Sequence, residues 1–261
     1  MKKLLKTISS LYSISAVASA LQKKDKLENI KKIISDTNTL PKDFKYTAHT
    51  GCVGTPDNSL EAIETGAKFG ASIVEFDVRF HNGDIVLSHD APVGGEVTLE
   101  QAFLKVKEYD GLMVNVDVKS TENLHLIQEI AEKTGVLDRI FFTGIFEDDV
   151  ETVKAECPLI TYYLNVSVLP KREQTPQYLQ SLVDKIKSCG AEGINFNKKS
   201  ATRELVEAFH NAGLKVSIWT VSKENEMYRI LPYGPDNITT RRPDKMQMIM
   251  NGVKKALSTV N

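Results

Sequence analysis

The chain has 261 residues, 41% of them hydrophobic and 26% charged, with a net charge of -1 at pH 7. That is enough apolar material for one large domain or two small ones, and so even a charge balance excludes a global attraction to nucleic acid or an anionic membrane. The three cysteines, Cys52, Cys157 and Cys189, are too few and too scattered for a disulfide framework, and no CxxC or Cys/His zinc spacing occurs.

Residues 1–24, "MKKLLKTISSLYSISAVASALQKK", start basic and carry an Ala-Ser-Ala triplet. That pattern also suits an export signal. Serines and a threonine dilute the apolar run, however, and Leu4, Ile8, Leu11, Ile14, Val17 and Leu21 recur at helical spacing. The spacing predicts an amphipathic helix that docks on the rest of the molecule, too short and polar to span a bilayer. A second helix carries Leu27, Ile30, Ile33 and Ile34 on one face. Residues 1–40 are therefore read as a helical extension and 41–261 as the main domain. Reduced thiols favour the cytoplasm, with export as the alternative if residues 1–20 are cleaved.

From residue 44 short β-branched runs alternate with amphipathic helical patterns. "YTAH" precedes "NSLEAIETGAKFG", and "SIVEFDV" precedes a hairpin, "HNGDIVLSHD", and the helix "TLEQAFLKVKEY". "LMVNVDVK", "RIFFTG", "LITYYLNV", "EGINFN", "KVSIWTV" and "DNITT" each lead into a further helix. Eight strand–helix units predict parallel pairing through crossovers, and their summed length fits an α/β fold of the closed (β/α)8 TIM-barrel type. An open doubly wound sheet is the competitor, but no GxGxxG follows the first strand. Ser59 or Asn58 is placed to cap the first barrel helix, and Thr98 with Gln101 has capping-box spacing.

Barrel sites sit at the C-terminal ends of the strands. The first strand ends at His49, the second carries Glu75 and Asp77, and the third carries Asn115, Asp117 and Lys119. Strand alternation puts Glu75 with Asp77, and Asn115 with Asp117 and Lys119, on the inward face, while Val114, Val116 and Val118 face the helices. Three carboxylates crowded in a barrel repel one another and lose hydration. Either Lys119 pairs with them in a buried ion network, or a hard divalent cation, Mg2+ or Ca2+, neutralises them. His89 ends the hairpin strand. Two imidazoles flanking such a cluster have the chemistry of an acid–base pair at one phosphate. His81, His125 and His210 fall in a turn and on helices and carry no such expectation.

The run "HTG…PDNSLEAIETGAKFGASIVEFDVRFHNGDIVLSHD", with "VNVDVK", "WTVS" and "PDNITTRRPD", resembles the glycerophosphodiester phosphodiesterases over about residues 45–250. The resemblance implies His49 and His89 as the acid–base pair, Glu75, Asp77 and Asp117 as metal ligands, Lys119 on the phosphate, and Trp219 on the alcohol side. It implies cleavage of a small phosphodiester to glycerol 3-phosphate and an alcohol. The chain departs from the pattern at four places. Thr50 stands for an arginine, Asp57 for a glutamate, Asp117 for a glutamate (as in sphingomyelinase-D-like lipases) and Arg241 for an aspartate. Thr50 and Asn115 are expected at the substrate, and Arg79 and Arg241 as replacements for the missing cation. The alternatives are a lysophospholipase-D-like activity, with Tyr162, Tyr163 and the N-terminal helix forming an apolar mouth, and a non-catalytic barrel that binds phosphorylated ligands.

Overall fold

The computed structural model describes residues 24–26, 28–31, 33, 41 and 43–258. The expected first helix, and with it the export-signal reading, lies outside them. In chain order the elements are β1 (Lys45–Ala48), α1 (Leu60–Lys68), β2 (Ile73–His81), β3 (Asp84–Leu87), α2 (Leu99–Lys107), β4 (Met113–Val118), α3 (His125–Thr134), β5 (Ile140–Ile145) and α4 (Val150–Glu156). Then follow β6 (Thr161–Asn165), α5 (Pro176–Cys189), β7 (Gly193–Asn197), α6 (Arg203–Asn211), β8 (Lys215–Trp219), α7 (Glu224–Ile230), β9 (Asn237–Thr240) and α8 (Pro243–Leu257).

The strands pair in parallel in the circular order β1, β2, β4, β5, β6, β7, β8, β9, and β9 returns to β1, so the barrel is closed. The remaining strand, β3, pairs antiparallel with β2 through a turn in which Asn82 and Gly83 take positive φ. Asn-Gly is the sequence such a hairpin turn favours. The fold is the expected (β/α)8 barrel.

Helix starts follow from local chemistry. Ser59 Oγ accepts from Ala62 N–H at 3.1 Å, so Ser59 rather than Asn58 caps α1. Thr98 and Gln101 form the reciprocal capping box at 3.2 and 3.0 Å. Each such cap is worth about 1 kcal/mol. Outward from the barrel, Val114, Val116 and Val118 are buried in the main core with Phe103 of α2 and Ile127 of α3. Each fully buried valine contributes about 1.5 kcal/mol or more. A separate apolar cluster of Ile73, Phe141 and Tyr163 sits inside the barrel. It plugs the N-terminal end, and the polar residues take the other.

The second helix of the N-terminal extension lies against α7 and α8. Lys26 pairs with Glu224 at 3.3 Å, Ile33 is buried, and Ile30 occupies the space a side chain at Gly252 would need. The N-terminal helix expected at the apolar mouth lies outside the described residues, and that mouth is not built from Tyr162 and Tyr163. Tyr162 is buried, with its hydroxyl donating to the Cys189 carbonyl, and Tyr163 lines a small cavity among the strand starts with Lys45, Ile73 and Met113. Alternation along β6 sends these two tyrosines to the helix layer and to the plugged end.

Candidate active site

A cavity of about 570 Å3 opens at the C-terminal end of the strands. Its wall includes His49, Glu75, Asp77, His89, Asn115, Asp117, Lys119 and Trp219. The structure thus brings together eight of the residues singled out in the sequence. The size suits a small molecule, for which about 300–1,000 Å3 is usual.

His49 directly follows β1, and its backbone N–H continues the ladder to the Thr240 carbonyl at 2.9 Å. Its Nδ1 lies 2.8 Å from the Thr50 carbonyl. A carbonyl only accepts, so Nδ1 carries the proton and Nε2 keeps its lone pair. Burial, reinforced by the Arg241 cation, pushes the imidazole pKa below its ordinary value, although the Thr50 carbonyl and the carboxylates of Asp77 and Asp117 pull the other way. His89 stands at the rim, its Nδ1 2.9 Å from Asp90 Oδ1 and its side chain 66% exposed.

Glu75, Asp77 and Asp117 present ligand atoms within 4.8 Å of one another. Burial, then the charges of Asp77 and Asp117, hold the Glu75 carboxyl well above the usual carboxylate range, against a hydrogen bond at 2.9 Å from the Thr50 N–H. Burial also raises Asp117, against the pull of Lys119. Lys119 Nζ reaches Asp77 Oδ1 at 3.0 Å and Asp117 Oδ2 at 2.8 Å. Burial alone would lower the lysine, but these two carboxylates outweigh it and hold the ammonium above its ordinary pKa.

The ion network foreseen as an alternative is therefore formed, but it does not satisfy the cluster. One ammonium faces three carboxyl groups, and Asp117 Oδ1 is buried with no hydrogen-bond partner. An orphaned hard oxygen beside two further carboxylates fits a divalent cation such as Mg2+ or Ca2+, which takes oxygen ligands.

Among the supporting residues Gly144 and Thr143 carried no sequence signal, and Asn58 stood only as a candidate helix cap. Asn58, at φ +55°, bridges the first loop to β2, with Nδ2 donating to Asp77 Oδ2 at 3.1 Å and Oδ1 accepting from Asp77 N–H at 3.0 Å. It is a positioning residue, and asparagine suits it because it tolerates the left-handed region. Gly144, at φ +77°, sits so close to β4 that a Cβ would come within 2.3 Å of the Val118 carbonyl and 2.4 Å of Asp117 Oδ1. Asn115 accepts from Thr143 Oγ1 at 2.8 Å.

Three expected substrate residues do not reach the cavity wall. Thr50 is buried under the loop, and its hydroxyl accepts from the Asn58 backbone N–H. Arg79 Nε is turned to the His89 carbonyl at 3.0 Å. Arg241 pairs with Asp57 at 2.7 Å across Gly51, where a Cβ would strike the aspartate oxygen at 1.9 Å. Each of these groups has a protein partner in or beside the loops that carry His49 and His89.

The fold and the site together define the class, a closed (β/α)8 barrel with a histidine-flanked carboxylate cluster in a cavity at the strand ends. Residues 101–245, more than half of the chain, match the model of the glycerophosphoryl diester phosphodiesterase family, and the chain belongs to that family. The matched segment contains Asp117, Lys119 and Trp219, and the two histidines precede it. A Bacillus subtilis protein, YqiK, is 23% identical over 79% of this chain and 98% of its own length. A glycerophosphodiester phosphodiesterase of Caldanaerobacter subterraneus is 24% identical over 76% and 94%. Among solved structures, a phosphodiesterase of Oleispira antarctica in complex with the product sn-glycerol-3-phosphate superposes with a TM-score of 0.63 at 21% identity, covering 83% of this chain and 99% of that one. A glycerophosphodiester phosphodiesterase of Parabacteroides distasonis gives a TM-score of 0.64 at 18% identity over 80% and 98%.

Proposed function

We propose that the chain hydrolyses glycerophosphodiesters to glycerol 3-phosphate and an alcohol, with His49 and His89 as base and acid and with Glu75, Asp77 and Asp117 holding a divalent cation. The observation that carries this reading is that both histidines, the carboxylate cluster and Lys119 line one cavity. A bound Mg2+ or Ca2+ supplies Lewis-acid neutralisation of the charge that develops on the phosphate oxygens. Lys119 adds a second positive charge at the same wall. Its ammonium is already held by Asp77 and Asp117, so little reorganisation is needed when an anion enters.

His49 is the base. Its Nδ1–H is committed to the Thr50 carbonyl, its burial favours the neutral ring, and Nε2 is left to take a proton from the attacking hydroxyl or water. His89 is the remaining imidazole on the cavity wall. With Nδ1 held by Asp90, it delivers the proton to the departing alkoxide. Trp219 faces the organic part of the substrate.

The test is release of glycerol 3-phosphate from glycerophosphocholine and glycerophosphoethanolamine with Mg2+, Ca2+ or chelator. Activity indifferent to chelator refutes the metal assignment, and calorimetry showing diester binding without turnover under every metal would favour a non-catalytic barrel. One observation favours a second reading: Phe146 is exposed and also lines the cavity, so an acyl chain has an apolar contact at the mouth. Hydrolysis of lysophosphatidylcholine faster than glycerophosphocholine would make a longer lipid the substrate. Among the described residues no helix is long and apolar enough to cross a membrane. We infer a cytoplasmic enzyme from its three free, buried thiols, and cell fractionation tests that.

A further inference from the structure

The rim of the barrel at the strand ends is divided by charge. The loops that follow β6, β7, β8 and β9 (residues 166–175, 198–202, 220–223 and 241–242) carry seven lysines and arginines and one acid, Glu173. The loops that follow β1, β3, β4 and β5 (residues 49–59, 88–98, 119–124 and 146–149) carry seven acids and one lysine, Lys119. Most of those acids are spent within the protein. Asp57 pairs with Arg241 and Glu147 with Lys185, while Glu96 and Asp149 accept from backbone N–H groups of their own loops. On the basic side Lys198 pairs with Glu226 and Arg242 with Asp244. Lys171, Lys199 and Lys223 are exposed and form no ion pair among the described residues. Arg172, with its side chain 86% exposed, meets only its neighbour Glu173.

The β6 and β7 loops are tied into one platform. Gln174 Nε2 donates to the Leu169 carbonyl at 2.9 Å and to the Ser200 carbonyl at 2.7 Å. Ser200 Oγ donates to the Val168 carbonyl at 2.9 Å, and Thr202 Oγ1 to Gln174 Oε1 at 2.8 Å. The Leu169 N–H donates to the Tyr178 hydroxyl at 2.9 Å. Both backbone groups of Leu169 are thus held, and its side chain stands 40% exposed next to Pro170, Lys171 and Arg172. Exposed apolar surface is gathered at this end of the barrel. Of the seven exposed large apolar side chains among the described residues, four, Val53, Val93, Phe146 and Leu169, lie in the strand-end loops.

An apolar tip among unpaired cations complements a surface that is anionic outside and apolar beneath, which describes a bilayer. A dissolved polyanion would meet the cations and leave Leu169 in water. A second copy of the chain would offer its acidic half, whose carboxylates are mostly engaged already. We propose that the β6–β8 loops dock the protein on an anionic phospholipid bilayer, with Lys171, Arg172, Lys199 and Lys223 at the headgroups and Leu169 in the acyl boundary. The net charge of -1 does not oppose this, because screening over about 8 Å at physiological ionic strength lets one side of the rim act without the other. The acidic side tilts away from the lipid, so the cavity mouth stays open to water along β1–β5. The docking does not depend on the proposed hydrolysis.

The experiment is sedimentation of the full chain with vesicles of phosphatidylcholine alone or mixed with phosphatidylglycerol, in chelator so that no turnover enters the reading. The protein should sediment with the mixed vesicles and not with phosphatidylcholine, and raised salt should weaken the binding. One cation near such a surface is worth about five-fold in partitioning, so Lys171→Gln with Arg172→Gln should lose about 25-fold. Leu169→Ser should lower binding and leave its salt dependence in place. These side chains are exposed, so each variant should keep the wild-type Tm, and hydrolysis of a soluble diester should be unchanged. Equal binding to the two vesicle types, or undiminished binding by the double variant, overturns the proposal. A dimer in sedimentation velocity that the double variant dissolves, with no vesicle binding by wild type, would assign the face to a second copy and also overturn it. Vesicle binding that follows the expected pattern in a protein inactive on every diester leaves the docking in place while the hydrolase reading falls.

Discussion

Replacing Glu75 by glutamine should make the metal-free protein more stable and, at the same time, inactive. Glu75 is buried with the carboxylates of Asp77 and Asp117 within 4.8 Å. One like-charge pair at that distance costs about 3.5 kcal/mol at an effective dielectric of about 20. Two carboxylates oppose Glu75, and Lys119, which reaches both of them, offsets about one. Roughly one pair's repulsion remains. Glutamine removes it and keeps an oxygen for the Thr50 N–H, which now donates to Glu75 at 2.9 Å. A gain of about 2–3 kcal/mol in chelator corresponds to a Tm rise of roughly 5–10 °C for a chain of this length. The sign of the pH dependence follows from the raised Glu75 pKa. The unfolded carboxyl ionises first as pH rises, so the wild type loses stability above the ordinary carboxylate range and the gap to Glu75→Gln widens. In acid, with both states protonated, the gap closes. Saturating Mg2+ or Ca2+ should raise the wild-type Tm and leave Glu75→Gln unmoved. Differential scanning fluorimetry from pH 4 to 8 measures all of this. A Glu75→Gln protein that melts below wild type in chelator refutes the reasoning, because Lys119 would then already satisfy the cluster.

His49→Ala and His89→Ala should each lower kcat by about 10^2–10^4 with little change in Tm, and near wild-type turnover in either removes that residue from the pair. The acid limb of kcat/KM should lie below the ordinary histidine pKa, because His49 is lowered. Arg241→Ala removes a cation that disfavours protonation of His49, so it should move that limb to higher pH, and a shift to lower pH would contradict the assignment. Gly144→Ala should abolish the metal-induced Tm shift, since its Cβ would collide with the Val118 carbonyl and Asp117 Oδ1, and a wild-type response would show that β4 yields. Burial pushes the Cys52 thiol up to about 11 and Cys157 to about 12, so neither should react with a thiol reagent at pH 7.5 until the protein is denatured.

Much of this protein is determined by its sequence, because the decisive patterns are local. Strand alternation alone puts Glu75 with Asp77 and Asn115 with Asp117 on the inward face, and Val114, Val116 and Val118 against the helices. Ser59, Thr98 and Gln101 fix helix starts by bonds that span three residues. The eight repeated units imply the closed barrel, and the barrel rule then names the end where His49, His89 and the carboxylates meet. What only the tertiary structure decided involves partners far apart in the chain. Arg241 and Thr50 look like phosphate contacts until the fold gives Arg241 to Asp57 and buries Thr50 beneath Asn58. Tyr162 and Tyr163 look like a mouth until β6 turns them to the helices and to the plugged end. Asn58 reads in the sequence only as a possible helix cap, because its bonds to Asp77 form across a turn the fold has to close. Periodicity fixes which face of a strand a side chain occupies, but which groups compete for its hydrogen bonds and charge is fixed only when the barrel closes.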